Sequence, residues 1–164
     1  MSDEAYYSLY GEQLAWGYFD HPPMVGLMTY LSSKLFSGNL SVRFLTVVFQ
    51  LITLTVIWRI IGEKTPTKKK VILFFTIAAS LVMFEAYGFV TTPDVPFLLF
   101  TALFLRAYQL FLIKESWKNT GFLALTMAGM MYSKYHGVLV VGLVVLSNWK
   151  LLTKSKFWLA PRAV

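Results

Sequence analysis

From Leu40 to Ile61 the chain is apolar except for a few hydroxyl and amide side chains and two charges, Arg43 near one end and Arg59 near the other. A bilayer crossing takes about 20 predominantly apolar residues. In hydrocarbon every backbone N–H and C=O must be satisfied within the protein, so a single run of this length crosses as a helix. Two arginines near its ends fit, because long basic side chains reach back to the interface. Further apolar runs follow at Val71 to Phe89, Pro96 to Ile113, Gly121 to Tyr132 and Gly137 to Trp149. The expected fold is therefore all-α, a polytopic membrane helix bundle of about five spans.

Composition supports lipid as the solvent. The 164-residue chain is 57% hydrophobic and 14% charged, with a mean hydropathy of +0.60, against about 45 to 50% apolar residues in soluble domains. The net charge of +7 does not point to nucleic acid, because the basic residues flank apolar runs instead of forming a stripe. With five crossings, Arg59, Lys64, Lys68, Lys69, Lys70, Lys114, Lys118, Lys150, Lys154, Lys156 and Arg162 fall on one side, and only Lys34, Arg43 and Lys134 on the other. The first side is then cytoplasmic. One long final helix through Lys134 would place the last four of these basic residues outside, so a break at Ser133–His136 is expected. The acids sort oppositely: Asp3, Glu4, Glu12, Asp20, Glu85 and Asp94 lie towards the outer side, Glu63 and Glu115 inside.

Residues 1–38 read as an extracytoplasmic interfacial loop, and residues 39–164 as the transmembrane bundle. Tyr6, Tyr7, Tyr10, Trp16, Tyr18 and Phe19 suit a membrane interface. Two interfacial amphipathic helices are expected, Glu4 to Trp16 and Met24 to Phe36, separated by a turn at Asp20-His21-Pro22-Pro23. No cysteine is present, which excludes a disulfide framework or a thiolate zinc site. Asp3-Glu4 almost directly after Met1 does not read as a secretory signal, and nothing after Pro161 reads as a closing element, so the chain is expected to be part of a larger protein.

Four constellations carry possible chemistry. Asp3-Glu4 reads either as a helix start complementing the dipole or as a carboxylate pair facing a cavity. Asp20-His21 pairs a carboxylate with an imidazole at a rigid turn, too few ligands for a specific metal. Asp94, between Pro93 and Pro96, is costly at a membrane turn unless hydrated, paired or used. Glu85 lies deeper and is expected to face the interior, with Lys134 or Arg43 as a partner. Ser133-Lys134-Tyr135-His136 combines a cation, two hydroxyls and an imidazole, a mixture suited to phosphate. Arg106 is expected to pair within the bundle or to turn to the interface.

The ordered set Asp3-Glu4-Ala5-Tyr6-Tyr7, Trp16-Gly17-Tyr18-Phe19-Asp20-His21-Pro22-Pro23-Met24-Val25, Val42-Arg43, Thr92-Pro93-Asp94-Val95-Pro96 and Ser133-Lys134-Tyr135 resembles the dolichyl-phosphate-mannose-protein mannosyltransferase-like family. That group includes the bacterial aminoarabinose transferases and other integral-membrane glycosyltransferases of the GT-C type. The resemblance implies transfer of a sugar from a polyprenyl-phosphate donor to a hydroxyl of a lipid, glycan or protein acceptor. It also implies a multi-pass protein of the cell (inner) membrane, surrounded by membrane lipids, with its site on the extracytoplasmic face. Matched to the motifs, Asp3 is the general base and Glu4 its support. Lys134, with Arg43 as the weaker candidate, stabilises the phosphate leaving group beside Tyr135. Asp20, His21 and Asp94 position sugar or acceptor, or hold a divalent metal, the one cofactor the resemblance leaves open. Members of the family carry a helix before the Asp-Glu motif and many after these spans. An ion-coupled transporter fragment and a noncatalytic membrane subunit are the alternatives.

Overall fold

A computed structural model describes residues 2–62, 67–81 and 88–148. Seven helices are defined among them: α1 (Ser2–Glu12), α2 (Met24–Leu35), α3 (Leu40–Ile61), α4 (Lys68–Ser80), α5 (Asp94–Ile113), α6 (Trp117–Ser133) and α7 (Gly137–Ser147). No strand occurs among the described residues. The helix α3 has the boundaries expected from its apolar run, and Gly62, with φ 76°, ends it in the left-handed conformation that glycine adopts without a Cβ clash. At 22 and 20 residues, α3 and α5 are long and apolar enough to cross a membrane. The helices α4, α6 and α7 have 13, 17 and 11 residues.

Two of the expected elements end early. The first interfacial helix stops at Glu12 instead of Trp16 because the Tyr18 hydroxyl takes over its C-terminal carbonyls, donating towards Tyr10 O at 2.7 Å and Gln13 O at 3.1 Å. The Tyr18 ring stacks on Tyr10 with centroids 3.6 Å apart, so the chain folds back where a helix would continue. The apolar run from Val71 is not one helix to Phe89: α4 stops at Ser80, and Leu81 is extended at φ −84°, ψ 94°. In its last turn the Ser80 hydroxyl donates to Ile77 O at 2.8 Å, competing for the helical carbonyls. Between α6 and α7 the expected break is present, with Lys134 extended at φ −157°, ψ 136°.

The helices pack in the manner of a membrane bundle. Buried on α3 are Thr46, Thr53 and Val56, whereas Leu51 and Ile61 point outward. On α6 the buried residues are Thr126, Gly129, Met130 and Ser133. Small and hydroxylated residues share the interior with Leu99, Phe104 and Met130, while many large aliphatic side chains face outward. The small residues also let the backbones approach closely. A Cβ on Gly129 of α6 would collide with the Phe100 ring of α5, and one on Gly11 of α1 would lie 2.5 Å from Thr29 Oγ1 and 2.9 Å from Tyr30 N of α2. The helices α3 and α5 run side by side in the same direction. Near their C-terminal ends Gln109 Nε2 donates to Ile60 O at 3.4 Å, and Arg106 Nη1 donates to Gln109 Oε1 at 3.2 Å, which pairs that arginine within the bundle.

These crossings are tight enough that Gly11→Ala and Gly129→Ala should each lower stability by roughly 1 to 3 kcal/mol. Thermal unfolding in detergent checks this, with Gly142→Ala, whose added Cβ meets nothing within 4 Å, as the control that should stay close to the parent protein.

Candidate functional site

Glu4 ties the first helix to the bundle. It lies in the first turn of α1, is only 7% exposed, and accepts two hydrogen bonds from Arg43 at the start of α3, from Nε to Oε1 at 2.8 Å and from Nη2 to Oε2 at 2.6 Å. Its Oε1 also accepts the Thr91 backbone N–H at 3.3 Å. Thr91 in turn donates from its hydroxyl to Val42 O at 2.9 Å and shares a hydrogen bond with the Thr46 hydroxyl at 2.6 Å. One carboxylate therefore joins α1, the N-terminal end of α3 and the turn leading into α5.

A second ion pair closes the same end. Asp94, the first residue of α5, accepts from Lys134 Nζ at 2.6 Å, and Lys134 follows directly after the last residue of α6. Arg43 and Lys134 are thus paired with Glu4 and Asp94; Glu85, for which one of the two is the expected partner, lies outside the described residues. Tyr135 beside Lys134 is exposed. The hydroxyl of Thr92, between Thr91 and Pro93, is buried without a hydrogen-bond partner among the described residues. Such a group ordinarily takes a water or a ligand atom.

A tyrosine cluster forms the third part. The Tyr6 and Tyr10 hydroxyls, 2.6 Å apart, both lie on Asp20 Oδ1, at 3.1 and 2.5 Å. Tyr7 shares a hydrogen bond of 3.1 Å with His21 Nε2, and that nitrogen is 3.6 Å from Asp20 Oδ2. Tyr6 and Tyr10 are one helical turn apart, with Tyr7 beside them. That spacing was visible in the sequence, but it was assigned to anchoring in the interface; the turn that brings Asp20 and His21 against it required the fold.

Electrostatics connect the three parts. The Arg43 guanidinium holds the Glu4 carboxyl below the usual carboxylate range, against the opposing effect of burial. The Tyr10 hydroxyl does the same for Asp20. Burial foremost, then the charges of Asp20, Asp3 and Asp94, push the Tyr7 phenol up. Asp3 is exposed in the first turn of α1. Asp3, Glu4, Asp20, His21, Arg43, Asp94 and Lys134, singled out separately along the sequence, are brought to one end of the fold, with Tyr135 at its edge. Among the described residues no three His, Cys, Asp or Glu side chains are placed to hold one metal ion.

The described residues are helical, two of the helices are long and apolar enough to cross a membrane, and acids and cations gather at one end of the bundle. The sequence matches the family described as dolichyl-phosphate-mannose-protein mannosyltransferase over residues 20–163, and the chain belongs to that family of membrane glycosyltransferases. The matched region includes Asp20, His21, Arg43, Asp94, Lys134 and Tyr135; Asp3 and Glu4 precede it. No curated protein and no solved structure matches the chain.

The lowered Glu4 and Asp20 carboxyls set an acid limit. Each contributes stability that is complete above the pH at which an unconstrained carboxylate protonates, and that is lost as the pH falls through its depressed folded value. Thermal stability should therefore decline on acidification below about pH 4. Glu4→Gln should flatten part of that decline while lowering stability near neutral pH.

Proposed function

We propose that this chain carries the extracytoplasmic acid–cation site of a multi-pass glycosyltransferase of the cell (inner) membrane, moving a sugar from a polyprenyl-phosphate donor to a hydroxyl of a lipid, glycan or protein acceptor. On this reading residues 1–38 form the extracytoplasmic interfacial loop and residues 39–164 belong to a GT-C type bundle of about five spans. The observation that carries the reading is the gathering of the Glu4–Arg43 and Asp94–Lys134 ion pairs at one end of the helices, with Asp20 and His21 held by the tyrosines of the same first helix. It supplies carboxylates for proton removal and a cation for phosphate at one end of the helices.

Asp3 is the general base. Both oxygens of Glu4 are occupied by Arg43, and one of them also by Thr91 N, so Glu4 is a positioning residue that holds α1 against α3. Asp3 is exposed in the same helical turn and removes the proton from the acceptor hydroxyl. The acceptor oxygen then bonds to the anomeric carbon. The bond from that carbon to the phosphate oxygen breaks, and its electron pair leaves with polyprenyl phosphate. Positive charge developing on the sugar is stabilised by Asp20, whose carboxyl stays ionised through the Tyr10 hydrogen bond. Lys134 has donors left after its bond to Asp94 and turns to the phosphate as negative charge builds there. Tyr135 lines the phosphate side, and His21, held by Tyr7, positions the acceptor. A transporter would place such groups near the bilayer midplane on broken helices, whereas here Arg43 and Asp94 stand at the starts of α3 and α5.

Sugar release from a polyprenyl-phosphate donor by the full-length protein tests the assignment. Asp3→Asn should lower turnover by about 10² to 10⁴-fold with little change in KM. Undiminished turnover by a variant that still inserts into membranes would remove Asp3 from the base role.

A further inference from the structure

Towards the end of the bundle opposite the acids, α3 and α4 touch through the rings of Trp58 and Phe74, 5.1 Å apart and edge to face, but leave crevices open beside that contact. The α4 face turned towards α3 is Val71, Phe74 and Ala78, spaced as one helical stripe, yet all three are only half-buried. A crevice of about 370 Å³ lies between Leu51, Leu54 and Trp58 of α3 and Val71, Phe74 and Phe75 of α4. A second crevice, of about 220 Å³, shares Leu51, Leu54 and Phe75 with it and extends to Val47 and Ala78. The combined groove follows α3 from Val47 to Trp58, about 16 Å along the axis. Its walls are mainly apolar, with Gln50 and Thr55 as the polar exceptions. The outer face of α4, with Ile72, Leu73 and Ile77, is exposed beside it.

The mouth of the groove is basic. Lys68, Lys69 and Lys70 form the first turn of α4 directly before the lining residue Val71, and Arg59 follows the lining residue Trp58 at the end of α3. All four side chains are exposed. No acidic residue lies in α3 or in α4. An apolar slot of acyl-chain length that opens beside clustered cations matches one occupant in both of its chemistries, an apolar tail and an anionic head.

We propose that the α3–α4 groove binds an anionic phospholipid, with one acyl chain along Leu51, Leu54 and Phe74 and the phosphate at Lys68, Lys69 and Lys70. The basic mouth of the site lies at the other end of α3 from Arg43, and none of its lysines takes part in the transfer reaction. The lipid supplies the contacts that α4 lacks against α3 and holds α4 at a fixed distance from it. Each lysine near an anionic head adds attraction, and the cluster together should favour an anionic over a zwitterionic lipid by about tenfold or more.

The test uses the full chain with Trp58 as its only tryptophan, the other four being Phe, reconstituted with dibrominated phosphatidylglycerol or dibrominated phosphatidylcholine. Quenching of Trp58 should be stronger with the anionic lipid, with a relative binding constant of about ten or more. Lys68→Gln/Lys69→Gln/Lys70→Gln should bring that ratio to about one at unchanged helicity, and Lys114→Gln/Lys118→Gln should leave it unaltered. Equal quenching by the two lipids in the parent protein overturns the proposal. Absence of quenching by either lipid also overturns it, because the groove is then filled by a second copy or by another helix. Equal loss of preference in the Lys114/Lys118 variant assigns the effect to general charge, and likewise overturns it.

Discussion

The arrangement depends on one ion pair formed across a long stretch of chain. Glu4 and Arg43 are separated by 39 residues and Glu4 and Thr91 by 87, so closing these contacts fixes three segments that local propensity cannot orient. A pair of this kind costs desolvation, and its net contribution to stability is small compared with the penalty for leaving one partner alone. Its value lies in position. With Glu4 seated on Arg43, the first turn of α1 is tied to the start of α3 while the body of the helix packs on α2, where Gly11 lies against Thr29; its tyrosines face the Asp20-His21 turn, and Asp3 lies on the same turn of helix as Glu4.

The rest of the site follows from how helices pack in an apolar solvent. Threonines, serines and glycines line the interfaces, so hydroxyl-to-hydroxyl and hydroxyl-to-carbonyl bonds take over much of the role that apolar side chains play in a soluble core. Thr46, Thr91 and Val42 form such a knot directly beneath the Glu4 pair. Because α3 and α5 run in parallel and α6 returns, the start of α3, the start of α5 and the end of α6 meet at one end. Arg43, Asp94 and Lys134 occupy those three positions. There the Glu4 carboxylate meets a guanidinium, Asp94 an ammonium and Asp20 two phenols.

The elements that were legible in the sequence are those set by local chemistry. Apolar length marked α3 from Leu40 to Ile61, proline and glycine marked the start of α2 and the end of the first segment, and the charge asymmetry favoured the break at Lys134. Charge parity also put the acids and Lys134 at a common end. The observed partners were not legible: Glu4 with Arg43 and Asp94 with Lys134 lie 39 and 40 residues apart, and sequence distance does not show which carboxylate a side chain meets after folding. The tyrosine cluster was read as interfacial anchoring for the same reason, and the early stop of α1 depends on a hydroxyl six residues beyond the helix end.

The most direct measurement is a double-mutant cycle on Glu4→Gln and Arg43→Gln, read by thermal unfolding of the membrane-reconstituted protein. If the pair holds α1 on the bundle, each single substitution destabilises, and the double variant loses less than the sum of the two, with a coupling of roughly 1 to 3 kcal/mol. Strict additivity would show that Glu4 and Arg43 do not meet, and would contradict the placement of α1 on which the shared site rests.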